Sequence, residues 1–196
     1  DKEGVVSIIS GCHDFIWETM STKRDGKEYV YSLADKYISL EGTSGRIVEL
    51  FNNNSYIVCC THWQSLFFNG RRTGLRVFEE VVSRINRILN KRIKWMKCSE
   101  IARYYATAKS VKIIVEKKDE DIYLIFYSPF KCPEFTLSFV LSGDFAEIEV
   151  YEKKKKLKKI GENEELKIDT WFKRGEKMYV CFDIDYKTSL VLKRGK

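Results

Sequence analysis

Two histidines occur in this chain, His13 and His62, and an imidazole changes charge in the physiological pH range. Each follows a run that reads as a strand: Val5–Ser10 before His13, and Tyr56–Thr61 before His62. At that position His62 could serve as a general acid or base, or orient a ligand. It could equally be a hydrogen-bonded structural histidine closing a strand. His13 and Asp14 are neighbours, and adjacent side chains on extended chain point oppositely, which argues against their acting as a pair. Cys59, Cys60 and His62, with Cys12 and His13 to complete the set, have metal-ligating types. Strand alternation separates Cys59 from the other two, however, and the close paired spacing of tetrahedral zinc sites is missing, so no metal is assigned here. Arg71 and Arg72 could meet an anionic substrate or simply be solvated. No GxGxxG, Walker loop, HExxH or GxSxG is present.

These residues need elements to position them, and 55–90 is the best organised stretch. The apolar run Tyr56–Cys60 leads into Thr61-His62-Trp63-Gln64, then the polar loop Asn69-Gly70-Arg71-Arg72-Thr73-Gly74. Leu75, Phe78, Val81, Val82, Ile85, Ile88 and Leu89 follow at helical spacing and predict an amphipathic helix over 75–89. Glu79, Glu80, Arg84 and Arg87 fall mainly off that stripe. Around this unit the sequence predicts short strands at Tyr29–Leu33, Tyr37–Leu40 and Arg92–Met96. Helices are expected at Arg46–Phe51 and from Ser99 to Tyr105, Ser99 being the N-cap. The order β-α-β-α favours parallel strands with crossover helices, and ligand-contacting groups collect where such strands end.

Beyond 107–110 the texture changes. Seven short runs at 111–115, 122–127, 135–141, 146–151, 165–171, 178–182 and 189–192 read as strands, separated by turn signals such as Ser142-Gly143-Asp144. That spacing predicts an antiparallel sandwich. The expected organisation is therefore α/β plus all-β: a partial (β/α) barrel-like parallel unit over 1–108, then a β-sandwich accessory domain over 109–196. Trp171, Phe172, Tyr179 and Tyr186 could form an aromatic sugar platform or fill the sandwich core.

Net charge is +7. This invites a nucleic-acid reading through Lys153–Lys159, but the excess is small against 35 basic and 28 acidic residues, and mixed solvated faces account for it. Those lysines also suit an exposed hairpin that deters edge-to-edge pairing. Six cysteines without a CxxC pair read as reduced thiols, several of them inside apolar runs where burial is the default, which favours a cytoplasmic setting. No apolar run reaches membrane-spanning length. Asn53-Asn54-Ser55 fits the glycosylation pattern, which means little without a secretion signal. The chain opens on Asp1 rather than methionine, so a piece of a longer protein is expected.

From Thr61-His62-Trp63-Gln64-Ser65-Leu66-Phe67, through Gly74-Leu75, to Trp95-Met96-Lys97-Cys98-Ser99-Glu100-Ile101-Ala102, the sequence resembles polysaccharide-deacetylase-like catalytic domains. The likeness is to the carboxyl-terminal part of these NodB-type distorted (β/α) barrels and covers 5–106. It implies that His62 is the family's late histidine, a general acid toward the leaving group. Asp14 and Trp17 would orient and cover that histidine, and Trp63, Arg71 and Arg72 would contact substrate. The substrate would be a poly- or oligosaccharide, and the reaction metal-assisted hydrolysis of acetyl groups on a glycan. The family's early aspartates and His-x-x-x-His pair have no counterpart here, and about 100 residues fall short of the roughly 200 or more that a full barrel takes. A divalent metal such as zinc would then be held by a preceding part of the protein, with no cofactor in this chain. Without that part the chain is expected to be inactive. The alternatives are a non-catalytic glycan-binding or assembly module, and a nucleic-acid binder through Lys153–Lys159.

Overall fold

A helix with apolar residues every third or fourth position must bury one stripe, and this need organises the first half of the chain. In the computed structural model, which describes residues 10–20, 23–90, 92–141 and 143–195, the longest helix is α4, Thr73–Ile88. Its Val77, Val81 and Ile85 are buried against Val30, Leu33 and Ala34 of α1, Lys27–Asp35. Helix α2, Arg46–Asn52, adds Ile47, Val48 and Leu50 to the same core. A four-residue helix, α3, spans Trp63–Leu66, and α5 spans Cys98–Ser110. Gly45, ahead of α2, has φ 108°, and a Cβ there would lie 2.5 Å from the carbonyl carbon of Tyr37. Only glycine lets the 36–38 and 45–47 segments approach this closely.

Several sequence expectations are overturned here. Tyr29–Leu33 is helical, because the buried positions Val30, Leu33, Ala34, Tyr37 and Ile38 recur at three- and four-residue steps. That spacing outweighs the strand preference of Tyr and Val. Tyr37–Leu40 and Arg92–Met96 form no strand either. The segment expected as the central strand, Tyr56–Thr61, makes a single parallel bridge, Cys12 to Cys59. Val5–Ser10, apart from Ser10, lies outside the described residues. The partial barrel-like parallel unit is therefore not what forms. A parallel sheet needs successive laddered strands, and among the described residues parallel pairing is limited to that bridge and to Lys158–Lys159 beside Thr170–Trp171. The arrangement is a small helical unit with a strand-like bridge, accompanied by an all-β part.

Compact units divide between Cys98 and Ser99. Helix α5 thus belongs with the β part, where Tyr104 stacks on Phe135 at 5.5 Å. Among the described residues nine strands follow: β1 Lys112–Lys118, β2 Asp121–Tyr127, β3 Cys132–Val140, β4 Phe145–Val150, β5 Lys155–Lys156, β6 Lys158–Lys159, β7 Thr170–Arg174, β8 Lys177–Ile184 and β9 Lys187–Arg194. They form a five-stranded sheet, β1-β2-β9-β4-β5, and a four-stranded sheet, β3-β8-β7-β6. Alternation supplies the core: Leu124 and Phe126, Ile148 and Val150, Leu190 and Leu192 come from the first sheet. Phe135, Trp171, Val180, Phe182 and Ile184 come from the second. The run expected as a strand over 165–171 joins the ladder only from Thr170, after Asp169 turns the backbone with φ 61°. Among the described residues no helix is long and apolar enough to cross a membrane.

Candidate active site

The Cys12–Cys59 bridge is closed by Cys12 N–H donating to Val58 O (3.1 Å) and Cys60 N–H to Cys12 O (3.0 Å). Past it, Phe15 N–H donates to Cys60 O (3.0 Å) and Thr61 Oγ1 to Phe15 O (2.5 Å), so the two segments stay tied. Between these anchors the chain turns sharply: Asp14 and Ile16 have φ of 56° and 65°. For a β-branched residue that conformation is strained, by about 1–3 kcal/mol, and surrounding contacts must enforce it. Tyr37 does so, its Oη accepting the Ile16 N–H at 2.8 Å. The same phenol lies 3.4 Å from Glu18 Oε2, and Lys36 Nζ donates to Glu18 Oε1 at 2.8 Å. Thr19 shares its hydroxyl between the carbonyls of Ile16 (2.8 Å) and Ser65. Burial pushes the Tyr37 phenol up to about 12. Burial also acts to raise Glu18, but the hydrogen bond from Lys36 and further bonds outweigh it and hold the carboxyl below its ordinary value.

This wiring places Trp17 against His62, ring centroids 6.3 Å apart and planes 70° apart, an edge-on contact. His62 is the N-cap residue of α3, in extended conformation, and its carbonyl accepts Ser65 N–H at 3.0 Å. Both rings face solvent, Trp17 being 50% exposed. Packing fixes α3 from the other side. A Cβ on Gly74 would fall 1.8 Å from Ser65 O, so no side chain fits where the start of α4 meets α3.

The other candidates spread around this corner. Asp14 is exposed, and its carbonyl accepts Trp17 N–H. Trp63 is 68% exposed, with its ring 6.1 Å from that of Phe67. Arg71 donates from Nη1 to Lys23 O at 2.5 Å, tying down the loop. Arg72 precedes α4, and its carbonyl accepts Arg76 N–H. The residues that brace the corner, Tyr37, Glu18 and Thr19, carried no signal in the sequence, because each joins segments 18–46 residues apart through isolated hydrogen bonds that follow no period.

The structure also places residues read as ambiguous. All six cysteines are free thiols; Cys12, Cys132 and Cys181 are buried, and Cys59, Cys60 and Cys98 are exposed. The neighbouring Cys59 thiol lowers the Cys12 thiol despite its burial, and the same interaction pushes the Cys59 thiol up. Among the described residues no group of three His, Cys, Asp or Glu side chains is arranged to hold a metal ion, so these residues do not fit one. The lysine run is two two-residue edge strands, with Leu157 buried between them as the chain passes from one sheet to the other. Lys155 pairs with Asp169 and Lys156 with Glu147, both at 2.5 Å, and Lys159 lies over the Trp171 ring at 5.0 Å. Of the four aromatics considered as a sugar platform, Trp171 and Phe172 are buried, and Phe172 stacks on Tyr179 at 4.7 Å. Tyr186 stands exposed beside Lys131.

No family model, no curated protein and no solved structure matches the chain.

Proposed function

We infer that the 10–98 unit carries the proton-donor corner of a carbohydrate-active hydrolase that removes acetyl groups from a glycan. His62 is the general acid toward the departing group, and Trp17 limits the imidazole's rotation while offering an apolar edge to the sugar. The reading rests on one observation, the edge-on Trp17–His62 contact at 6.3 Å, held by a strained turn. Such strain is retained where a side chain must be aimed. The resemblance of the 61–102 stretch to polysaccharide deacetylases supplies the reaction class. No step is derived through a metal, because the described residues do not fit one.

The test is acetate release from an N-acetylated oligosaccharide by the full-length gene product. His62→Ala is expected to lower kcat by about 10²–10⁴-fold, the range for a lost general acid, with the melting temperature unchanged. Trp17→Ala should lower kcat and raise KM together, since it frees the imidazole and removes the apolar edge offered to the sugar. Acetate release unaffected by His62→Ala overturns the assignment. No release from any acetylated glycan by the intact product overturns the reaction class and leaves a glycan-binding module in front.

A further inference from the structure

The five-stranded sheet carries a groove on its outer face that the reading above does not use. It measures about 440 Å³ and is lined by Tyr123, Glu149, Tyr151, Glu152, Lys154, Val191 and Lys193. Strand pairing explains its floor. Glu149 of β4 stands opposite Val191 of β9, which stands opposite Tyr123 of β2, so the three side chains share one face. Val191 is only 2% exposed although it points away from the core. The cover is the single helical turn Tyr151–Lys153, which folds back over β9. Its Glu152 carboxylate accepts both the Ser189 N–H (2.8 Å) and the Ser189 hydroxyl (2.7 Å), and Lys154 closes the turn with φ 50° and an N–H bond to Tyr151 O. Tyr151 is thus held out of the core, 58% exposed, with its ring 6.1 Å from that of Tyr123 at 68°. Two aromatic rings meeting at an angle over an aliphatic floor, on a braced turn, make a preorganised apolar corner.

The rim decides the ligand class. Glu149 is neutralised by Lys193 at 2.7 Å, and Glu152 and Lys154 contribute one charge of each sign. The groove therefore selects neither an anion nor a cation. Among the described residues, neither tyrosine hydroxyl has a hydrogen-bond partner. A pyranose matches this chemistry, since its C–H face packs on an aromatic ring and its equatorial hydroxyls meet carboxylates, ammonium groups and phenols. We propose that this groove binds a short neutral oligosaccharide, with Tyr151 as the stacking platform and Tyr123 as the adjoining wall. The ligand class agrees with the carbohydrate reading above, but the site uses other residues and needs no turnover, so the two fail separately.

The test is a titration of the 196-residue chain with cellotetraose and with chitotetraose, followed by calorimetry and by amide chemical shifts. Saturable binding is expected, with shifts centred on Tyr123, Tyr151 and Val191. Tyr151→Ala should weaken it about tenfold, as loss of one aromatic contact does. Tyr186→Ala, an exposed tyrosine outside the groove, should leave it unchanged. Absence of saturable binding to both sugars at millimolar concentration overturns the proposal. So does binding that survives Tyr151→Ala, or a preference for inorganic phosphate or a polyanionic glycan over the neutral sugars.

Discussion

The two units solve one problem, satisfying buried backbone while packing apolar surface, by different means. In 99–195 it is solved by ladders. Long registers such as β3 with β8 and β1 with β2 pair neighbouring groups in series, and the inner faces interdigitate. In 10–98 helices satisfy themselves, and the connecting segments hang on single long-range bonds: Phe15 to Cys60, Ile16 to Tyr37, Thr61 to Phe15, Thr19 to Ser65. In the β unit, Asp119, Glu134 and Lys154 take up positive φ at a hairpin, a bulge and a turn. In the helical unit the exposed Asp14, Asn54 and Asn69 do so, and with them a buried isoleucine, Ile16. Ladders spread strain and tolerate the loss of one bond, whereas point contacts concentrate it. Trp17 is accordingly aimed by a strained turn held at point contacts, whereas Tyr151 in the β unit is set by a turn tied to β9 through Ser189.

The sharpest way to break this contrast is to remove one keystone from each unit. Arg84 is 2% exposed and donates to Asp35 (2.6 Å), Glu80 (2.8 Å) and Ile38 O (2.8 Å). Arg84→Ala leaves the buried Ile38 carbonyl and the partly exposed Glu80 without their donor, while the half-exposed Asp35 turns to water, and is expected to cost about 3 kcal/mol. Phe182→Ala, which leaves the β unit's reporter Trp171 in place, empties the sandwich core at a cost of about 3–5 kcal/mol. Urea unfolding followed by tryptophan fluorescence separates them, since Trp17, Trp63 and Trp95 lie in one unit and Trp171 in the other. Each variant should shift only its own unit's transition. If both signals move together, the units unfold as one and the contrast is merely geometric.

Next in size is Gly74→Ala. The added Cβ meets Ser65 O and must push α3 from α4, costing about 3 kcal/mol in the helical unit by thermal melting. A tolerated alanine would mean that the α3–α4 approach is looser than described. Tyr37→Phe removes the partner of the Ile16 N–H and should cost about 1–2 kcal/mol. It also tests a pH effect. With the folded phenol raised to about 12 against an ordinary 10.0, the unfolded chain loses its proton first. The contribution is fully present below pH 10 and is lost as pH rises toward 12. In alkaline melting series the wild-type chain should therefore lose more stability over that window than Tyr37→Phe does. Parallel curves would show that the phenol is not the responsible group. The smallest effect belongs to the β unit's surface: Lys156→Ala removes an exposed pair with Glu147 and should change stability by less than about 0.5 kcal/mol.

Much of this was legible where a period is unbroken. The α4 stripe, the α2 segment and the alternating runs of β2 and β8 show in the sequence because burial repeats with the element's own period, whereas β9, buried continuously over 188–192, shows as the short apolar run Leu190-Val191-Leu192. His62 and Trp17 were legible as candidates by type and by the resemblance. Arg84 was not, because a charged residue on a helix reads as solvated until Asp35 and Glu80 appear around it. Tyr123 and Tyr151 were equally silent, for which face of a strand an aromatic occupies follows from register.

By itself, then, the sequence determined the elements whose side chains alternate or recur against one core, since burial is written locally in spacing. Tertiary structure alone decided that Tyr56–Thr61 makes one bridge instead of a sheet, and that Trp171 fills a core while Tyr151 stands outside it. It alone decided that Ile16 bends through a strained turn to set Trp17 on His62. Those outcomes depend on partners dozens of residues away, and a pairing across that distance leaves no periodic trace in either segment.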